Sequence, residues 1–199
     1  MSYNINQPTD GGVTFTDDTT TVGTVNQPAS GSITVKEEQF GPFVRTQFTL
    51  SAARITATDG GGSGSHGALK IYDFPAAAIS FLGSRQDYTA FAEGAALTGA
   101  AGDAAFEIGV GTTAISAAAD GTLGNGAQEN VGQAVSVTLS GGTGTGTAVN
   151  GANTTALNGT ATATDLNLNW SGTAATIDAT STIDVTGTIT VVWVHMADD

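Results

Sequence analysis

The sequence predicts an all-β domain, an antiparallel β-sandwich or barrel, and three observations carry that expectation. Thr (33), Ala (31) and Gly (28) make up nearly half of the 199 residues. Thr is β-branched and suits a pleated surface, whereas the helix formers Leu, Glu, Lys, Arg and Gln are sparse. Apolar residues recur with period two in several short stretches. Turn-prone pairs separate those stretches: Asp10-Gly11, Asp59-Gly60, Asp120-Gly121, Asn125-Gly126, Asn150-Gly151 and Asn158-Gly159. Charged residues are 12% and hydrophobic ones 40%, so the chain lacks the dense charge and low hydrophobicity of a disordered one.

Residues 1–35 read as an extended N-terminal arm, rich in Thr, Asp and Gly, and 36–199 as the sandwich domain. Within the arm, Asn6-Gln7-Pro8 recurs as Asn26-Gln27-Pro28, which fits two similar turns. Alternation starts near residue 32, with Ile33 and Val35 between Ser32 and Thr34. Phe48, Leu50 and Ala52 share one face of a strand over 43–58, or of two strands with a bulge at Ala52-Ala53. The stretch 59–67, DGGGSGSHG, reads as a loop without core residues. ALKIYDFP (68–75) is a strand closed by Pro75, and AISFLGS (78–84) follows at turn distance. Ala104, Phe106, Ile108 and Val110 alternate; so do Val135, Val137 and Leu139. Leu166, Leu168 and Trp170 alternate with Asn167 and Asn169. The longest pattern is Ile183, Val185, Gly187, Ile189, Val191 and Trp193 against Thr182, Asp184, Thr186, Thr188 and Thr190. Several short alternating strands with Gly-rich joints favour a sandwich or barrel over βαβ units.

Charge and composition exclude several functions. Five basic residues against 18 acids give a net charge of −13. Nucleic-acid affinity and binding to anionic membrane surfaces both rest on Lys and Arg, so neither partner is expected. Without Cys there is no disulfide, thiolate zinc site or Cys nucleophile. No apolar run approaches the length of a spanning helix. The N-terminal MSYNINQPTDGG has no basic or apolar signal region, which predicts synthesis in the cytoplasm without Sec export.

Motifs for chemistry are weak. Gly109-Val110-Gly111-Thr112-Thr113-Ala114 matches G-x-G-x-x-A after a strand, with Glu129 downstream. The following AISAAADGTLG is too short and Gly-broken for the packing helix of a dinucleotide fold, and a loop is expected. GGTGTGT (141–147) lacks the Lys of a phosphate loop and reads as a loop or low-complexity edge. The two histidines, His66 and His195, sit in no nucleophile motif; His66 is expected exposed in its loop and His195 packed at a strand end. Asp17-Asp18, Glu37-Glu38 and Asp198-Asp199 are adjacent pairs, which on a strand face opposite ways and so do not converge on one bond. A calcium ion on Asp-rich loops stays open, although no known calcium-loop spacing is present. Asn153, Asn158 and Asn169 fit the glycosylation sequon, which carries no weight without a signal peptide. No enzyme activity, cofactor or metal is expected.

Two features point to contact instead. After Thr190 the outward parity of the last strand turns apolar, as Val192, Val194 and Met196. Burial under a loop of the same subunit explains that, and so does a subunit interface. A chain of small residues gains little from its own core, which favours oligomerisation. All five basic residues, Lys36, Arg45, Arg54, Lys70 and Arg85, lie between 36 and 85, while 86–199 hold eleven acids. Val192, Val194, Met196, Lys36, Arg45 and Arg54 are therefore the candidate interface residues.

The segments GALKIYDFPAAAISFLGS (67–84), DLNLNWS (165–171) and STIDVTGTITVVWVHM (181–196), around a Gly/Ala/Asn-rich centre, resemble small structural proteins of tailed bacteriophages. The resemblance spans about residues 40–199. It implies a capsid decoration or cement protein on the outer surface of a virion, jelly-roll-like and homotrimeric, with the major capsid protein as partner. Such a protein stabilises the assembled shell by binding only to it. On that view the arm orders on the shell, and deleting residues 2–30 weakens binding. A tail or head-fibre module that binds host glycans through Tyr72, Tyr88 and Trp170 is the alternative. A major shell protein would need a long helix, which no stretch predicts.

Overall fold

The computed structural model describes residues 23–60, 64–93, 105–117, 123, 126–138, 143–150, 156–158, 163–172 and 181–196. These form eleven strands: β1 (Thr24–Val25), β2 (Ser32–Phe40), β3 (Phe43–Asp59), β4 (Ser65–Asp73), β5 (Ala78–Glu93), β6 (Ala105–Gly111), β7 (Gly132–Thr138), β8 (Thr143–Asn150), β9 (Ala156–Asn158), β10 (Asp165–Gly172) and β11 (Ser181–Met196). No helix occurs among the described residues, and every strand pair is antiparallel.

Two sheets face each other. The front sheet runs β2-β3-β11-β5, with β8 and β9 on the far edge of β5. The back sheet runs β4-β10-β6-β7, with β1 on the outer edge of β4. They join at the β3–β4 turn, where Thr58 and Asp59 pair with His66 and Ser65. On the opposite side Ser84 Oγ donates to the Val131 carbonyl (2.6 Å) and Gln86 Nε2 to the Gln133 carbonyl (2.8 Å). The all-β antiparallel sandwich expected from the sequence is thus present, nearly closed into a barrel.

Alternation builds the core. Ile183, Val185, Ile189, Val191 and Trp193 of β11 are all buried between the sheets, as are Leu166, Leu168 and Trp170 of β10. Two aromatic ladders fill the interior. Phe48, Tyr72, Phe74, Trp193 and Phe81 meet edge to face at 5.1–5.4 Å. Tyr88, Phe91, Phe106 and Trp170 follow at 5.3–5.8 Å. Each such contact adds roughly 0.5–1.5 kcal/mol to simple burial.

Bulges break the alternation elsewhere. In β3 the buried set changes from Val44, Phe48 and Leu50 to Ala53, Ile55 and Ala57. The switch lies at Ala52, whose φ is 49°, so Ala52 faces solvent rather than sharing the face of Phe48 and Leu50. Its amide donates to Thr186 Oγ1 (3.1 Å). An extra residue opposite one on β11 shifts the pleat by one position. β5 does this twice, beside Leu82 and Thr89, and extends to Glu93, well beyond the expected 78–84.

Two further expectations are corrected, and the edge alternative for 141–147 holds over its described residues. The 59–67 loop is shorter, because Ser65, His66 and Gly67 belong to β4, where backbone pairing with β10 recruits them. Residues 143–147 of the GGTGTGT stretch form an edge strand on β5. Asn167 and Asn169 alternate as expected yet are both buried, and the segment after β6 covers Asn169. Of the expected arm, residues 1–22 lie outside the described residues, and 23–35 take part in the sandwich through β1 and β2.

Candidate functional site

Strand register shows what the outer surface of the front sheet presents. Read across β2, β3, β11 and β5, one row is Phe40, Phe43, Val194 and Ser80. The next is Glu38, Arg45, Val192 and Gly83, with bulged Leu82 beside it. Then come Lys36, Gln47, Thr190 and Arg85. Phe40, Phe43 and Leu82 are 51%, 47% and 38% exposed, and Val192 and Val194 are half-buried among them. An apolar patch therefore sits at one end of the sheet, bordered by mixed charge.

The turn positions the two phenylalanines. Gly41-Pro42 is a two-residue hairpin loop between paired Phe40 and Phe43. Its first residue has φ 57°, and Pro at the second fixes a negative φ, which excludes type I′ and suits type II′. The hairpin register then places both rings on the outer face, side by side.

The border is held by ion pairs. Glu38 accepts from Arg45 Nη1 at 2.8 Å and lies 3.5 Å from Lys36 Nζ. The Arg45 hydrogen bond outweighs burial and holds the Glu38 carboxyl below its usual range, with Arg45 and Lys36 adding charge attraction. Arg54 lies nine residues beyond Arg45 on the same strand, about 30 Å away. There it grips Asp184 with two bonds of 2.7 Å. Of the candidate interface residues, Val192, Val194, Lys36 and Arg45 come together, and Arg54 does not join them. Met196 pairs with Ala78 in the same strand phase, and its side chain lies outside the described residues. Phe40, Phe43 and Leu82 were missed. The signal for the first two was a pair of rings flanking Gly-Pro; Leu82 had none, since a bulge turned it outward.

The acidic pair Glu37-Glu38 splits as adjacent strand residues must. Glu38 faces out, while Glu37 is 4% exposed on the core side. Its Oε1 accepts from Tyr72 Oη (2.6 Å) and Thr46 Oγ1 (2.8 Å). Trp193 Nε1 donates to Thr46 Oγ1 (2.9 Å), and the Gly23 amide to Tyr72 Oη (2.6 Å). Burial, then the Glu37 carboxylate, pushes the Tyr72 phenol well above its usual range, so it stays a donor. The network ties β1, β2, β3, β4 and β11 together at one end of the core.

The G-x-G pair has a packing role. A Cβ on Gly111 would lie 2.2 Å from the Ala127 oxygen and 2.3 Å from the Gln128 carbonyl carbon. One on Gly109 would meet Leu123 Cδ1 at 3.0 Å. The two glycines thus let the segment after β6 lie flat on the back sheet. Asn169, fully buried, holds it: the Ile115 amide donates to Asn169 Oδ1 (2.9 Å), and Asn169 Nδ2 donates to the Thr113 (3.0 Å) and Gln128 (2.7 Å) carbonyls. A buried, fully bonded Asn169 is no glycan acceptor.

His66 lies in β4 opposite Ser171, half-buried rather than in an exposed loop. Ser171 Oγ and His66 Nδ1 have no hydrogen-bond partner, so the two do not form a nucleophile–base pair. The side chain of His195 lies outside the described residues. No group of three His, Cys, Asp or Glu able to hold a metal occurs among the described residues. Tyr72, Tyr88 and Trp170 are all in the core, out of reach of a glycan. No helix of the described residues is long and apolar enough to cross a membrane. No family model, curated protein or solved structure matches the chain.

Proposed function

We propose that the chain is a structural component of a bacteriophage particle, a decoration or cement protein on the outer surface of the capsid, acting by contact rather than catalysis. The observation that carries this reading is the front-sheet patch of Phe40, Phe43, Leu82, Val192 and Val194, solvent-facing and bordered by Lys36, Arg45 and Glu38. A decoration protein works by contact, with the shell subunits beneath it and with its own copies. It needs an apolar centre for burial and a charged border for register. The resemblance of residues 67–84, 165–171 and 181–196 to small phage structural proteins supports the same role, and with it a jelly-roll-like homotrimer partnered by the major capsid protein. Because it binds only the assembled shell, it stabilises that state by mass action.

The test is immunogold labelling of particles in the source lysate, with antibody raised against the purified chain. Label over icosahedral heads is the expected result. Label on tails or fibres only, or on no particle, overturns the proposal.

A further inference from the structure

The front-sheet patch is self-matching. Phe40, Phe43 and Leu82 are the exposed large apolar side chains among the described residues, and all three lie in it. An apolar patch gains most by meeting another apolar surface. On a second copy of this chain, the described surface offers one such counterpart, the same patch.

Charge selects the same face. The outward charges of the front sheet are Lys36, Arg45, Arg54 and Arg85 against Glu38, Asp87 and Asp184, a balance of one positive charge. The other described residues carry seven acids, Glu37, Asp59, Asp73, Glu93, Glu107, Glu129 and Asp165, against Lys70 alone, a net of six negative charges. Two copies that meet elsewhere bring like charge together, and two that meet here do not.

We infer that this face is the contact between copies of the chain, patch against patch about a rotation axis. The inference rests on the contact role proposed above and names the occupant of that face. Glu38, which takes both Lys36 and Arg45 within one copy, is placed to exchange partners across such an axis. The patch lies beside the Gly41-Pro42 turn, at the end of the sheet, so a two-fold or a three-fold axis can close the contact.

Sedimentation of the full chain tests this, between about 10 µM and about 0.5 mM, in about 0.05 M and about 0.5 M NaCl. The expected result is a concentration-dependent dimer or trimer whose association constant rises at least threefold at the higher salt, because salt screens the repulsion and leaves apolar burial intact. The double variant Phe40→Ser/Phe43→Ser, whose rings are exposed, is expected to melt as the parent does and to stay monomeric. Arg45→Glu, at a side chain 46% exposed, is expected to weaken association about tenfold; because it sets a carboxylate opposite Glu38, its association is compared at a temperature where its own melt shows it fully folded. A parent chain monomeric throughout, or an oligomer that the double variant leaves intact, overturns the inference. An oligomer with no label on any head would instead sink the capsid role alone.

Discussion

Gly111→Ala probes the covering of the back sheet most directly. Backbone atoms of Ala127 and Gln128 would lie 2.2–2.4 Å from the new methyl, against the 3.4 Å or more of an ordinary contact. The segment must retreat by about 1 Å, and no side-chain rotation can absorb that. Two bonds are set on that backbone: the Thr113 amide to the Ala127 carbonyl (3.0 Å) and Asn169 Nδ2 to the Gln128 carbonyl (2.7 Å). Each is worth about 1 kcal/mol net, and a polar group left unpaired in a buried place costs about 1–3 kcal/mol. The expected loss is therefore about 3 kcal/mol, or about 10 °C in Tm for a chain of this size. Urea unfolding followed by fluorescence of buried Trp170 and Trp193 measures it, and amide exchange should speed up at 112–117 and 126–131 before the core strands. Gly109→Ala is the internal comparison: its Cβ meets Leu123 Cδ1 at 3.0 Å and the backbone of Gly132 and Ala134 at 3.2 and 3.3 Å, a crowding of a few tenths of an ångström rather than more than one, and should lose about 1 kcal/mol. A Gly111→Ala protein within about 0.5 kcal/mol of the parent, with unchanged exchange, would refute the packing role of the glycine pair.

Other expectations follow from the core and its charges. Tyr72→Phe removes a donor to buried Glu37 and the acceptor of the Gly23 amide, and should cost about 2–3 kcal/mol in urea unfolding. Trp193→Phe leaves a cavity and an unpaired Thr46 hydroxyl acceptor, with an expected loss of about 2–4 kcal/mol by the same measurement. Burial raises the Asp73 carboxyl, but bonds from Asn26 and Lys70 outweigh it and hold the group below its usual range. Its stabilisation is therefore present above the ordinary aspartate pKa and lost as pH falls through the depressed value, so Asp73→Asn should destabilise at neutral pH and the gap to the parent in urea midpoint should narrow as pH falls below the ordinary aspartate range. Burial, then the hydrogen bond with Asp73, raises Asp165, so its ionisation costs stability as pH rises through that value. Asp165→Asn should be neutral or stabilising at neutral pH, and a lower urea midpoint would contradict this.

The fold class was legible because burial between two sheets imposes period two, and β11 and β10 carry it without interruption. The pattern failed where the backbone inserted an extra residue. Counting put Ala52 on the face of Phe48 and Leu50, while the bulge offered at Ala52-Ala53 is the one present and turns Ala52 out; Leu82 became exposed through a bulge that nothing in the sequence announced. Alternation cannot register an insertion whose signature is a backbone angle. Asn169 was legible as opposite in phase to Leu168 and Trp170 and not as covered, because covering depends on a segment distant in sequence meeting Gly109 and Gly111. Those glycines matched the dinucleotide-binding G-x-G-x-x-A pattern, since chemistry and close packing ask for the same missing side chain. At the candidate site, Val192 and Val194 showed themselves by breaking the polar parity of their strand. Phe40 and Phe43 did not, because one aromatic on each side of a turn looks the same whether the hairpin faces in or out.

The place of β11 in the front sheet bears on how the chain can be made. β3 and β5 do not pair with each other; each pairs with β11, whose residues are 181–196. During synthesis, two long strands thus wait with open edges while about a hundred more residues emerge, and open edges are what draw strands of neighbouring chains together. Low bulk and −13 charge keep such nascent chains apart until the last strand slots between its two partners. Closure of the front sheet thus waits for β11, and a chain that stops before Ser181 has no central strand around which to zip.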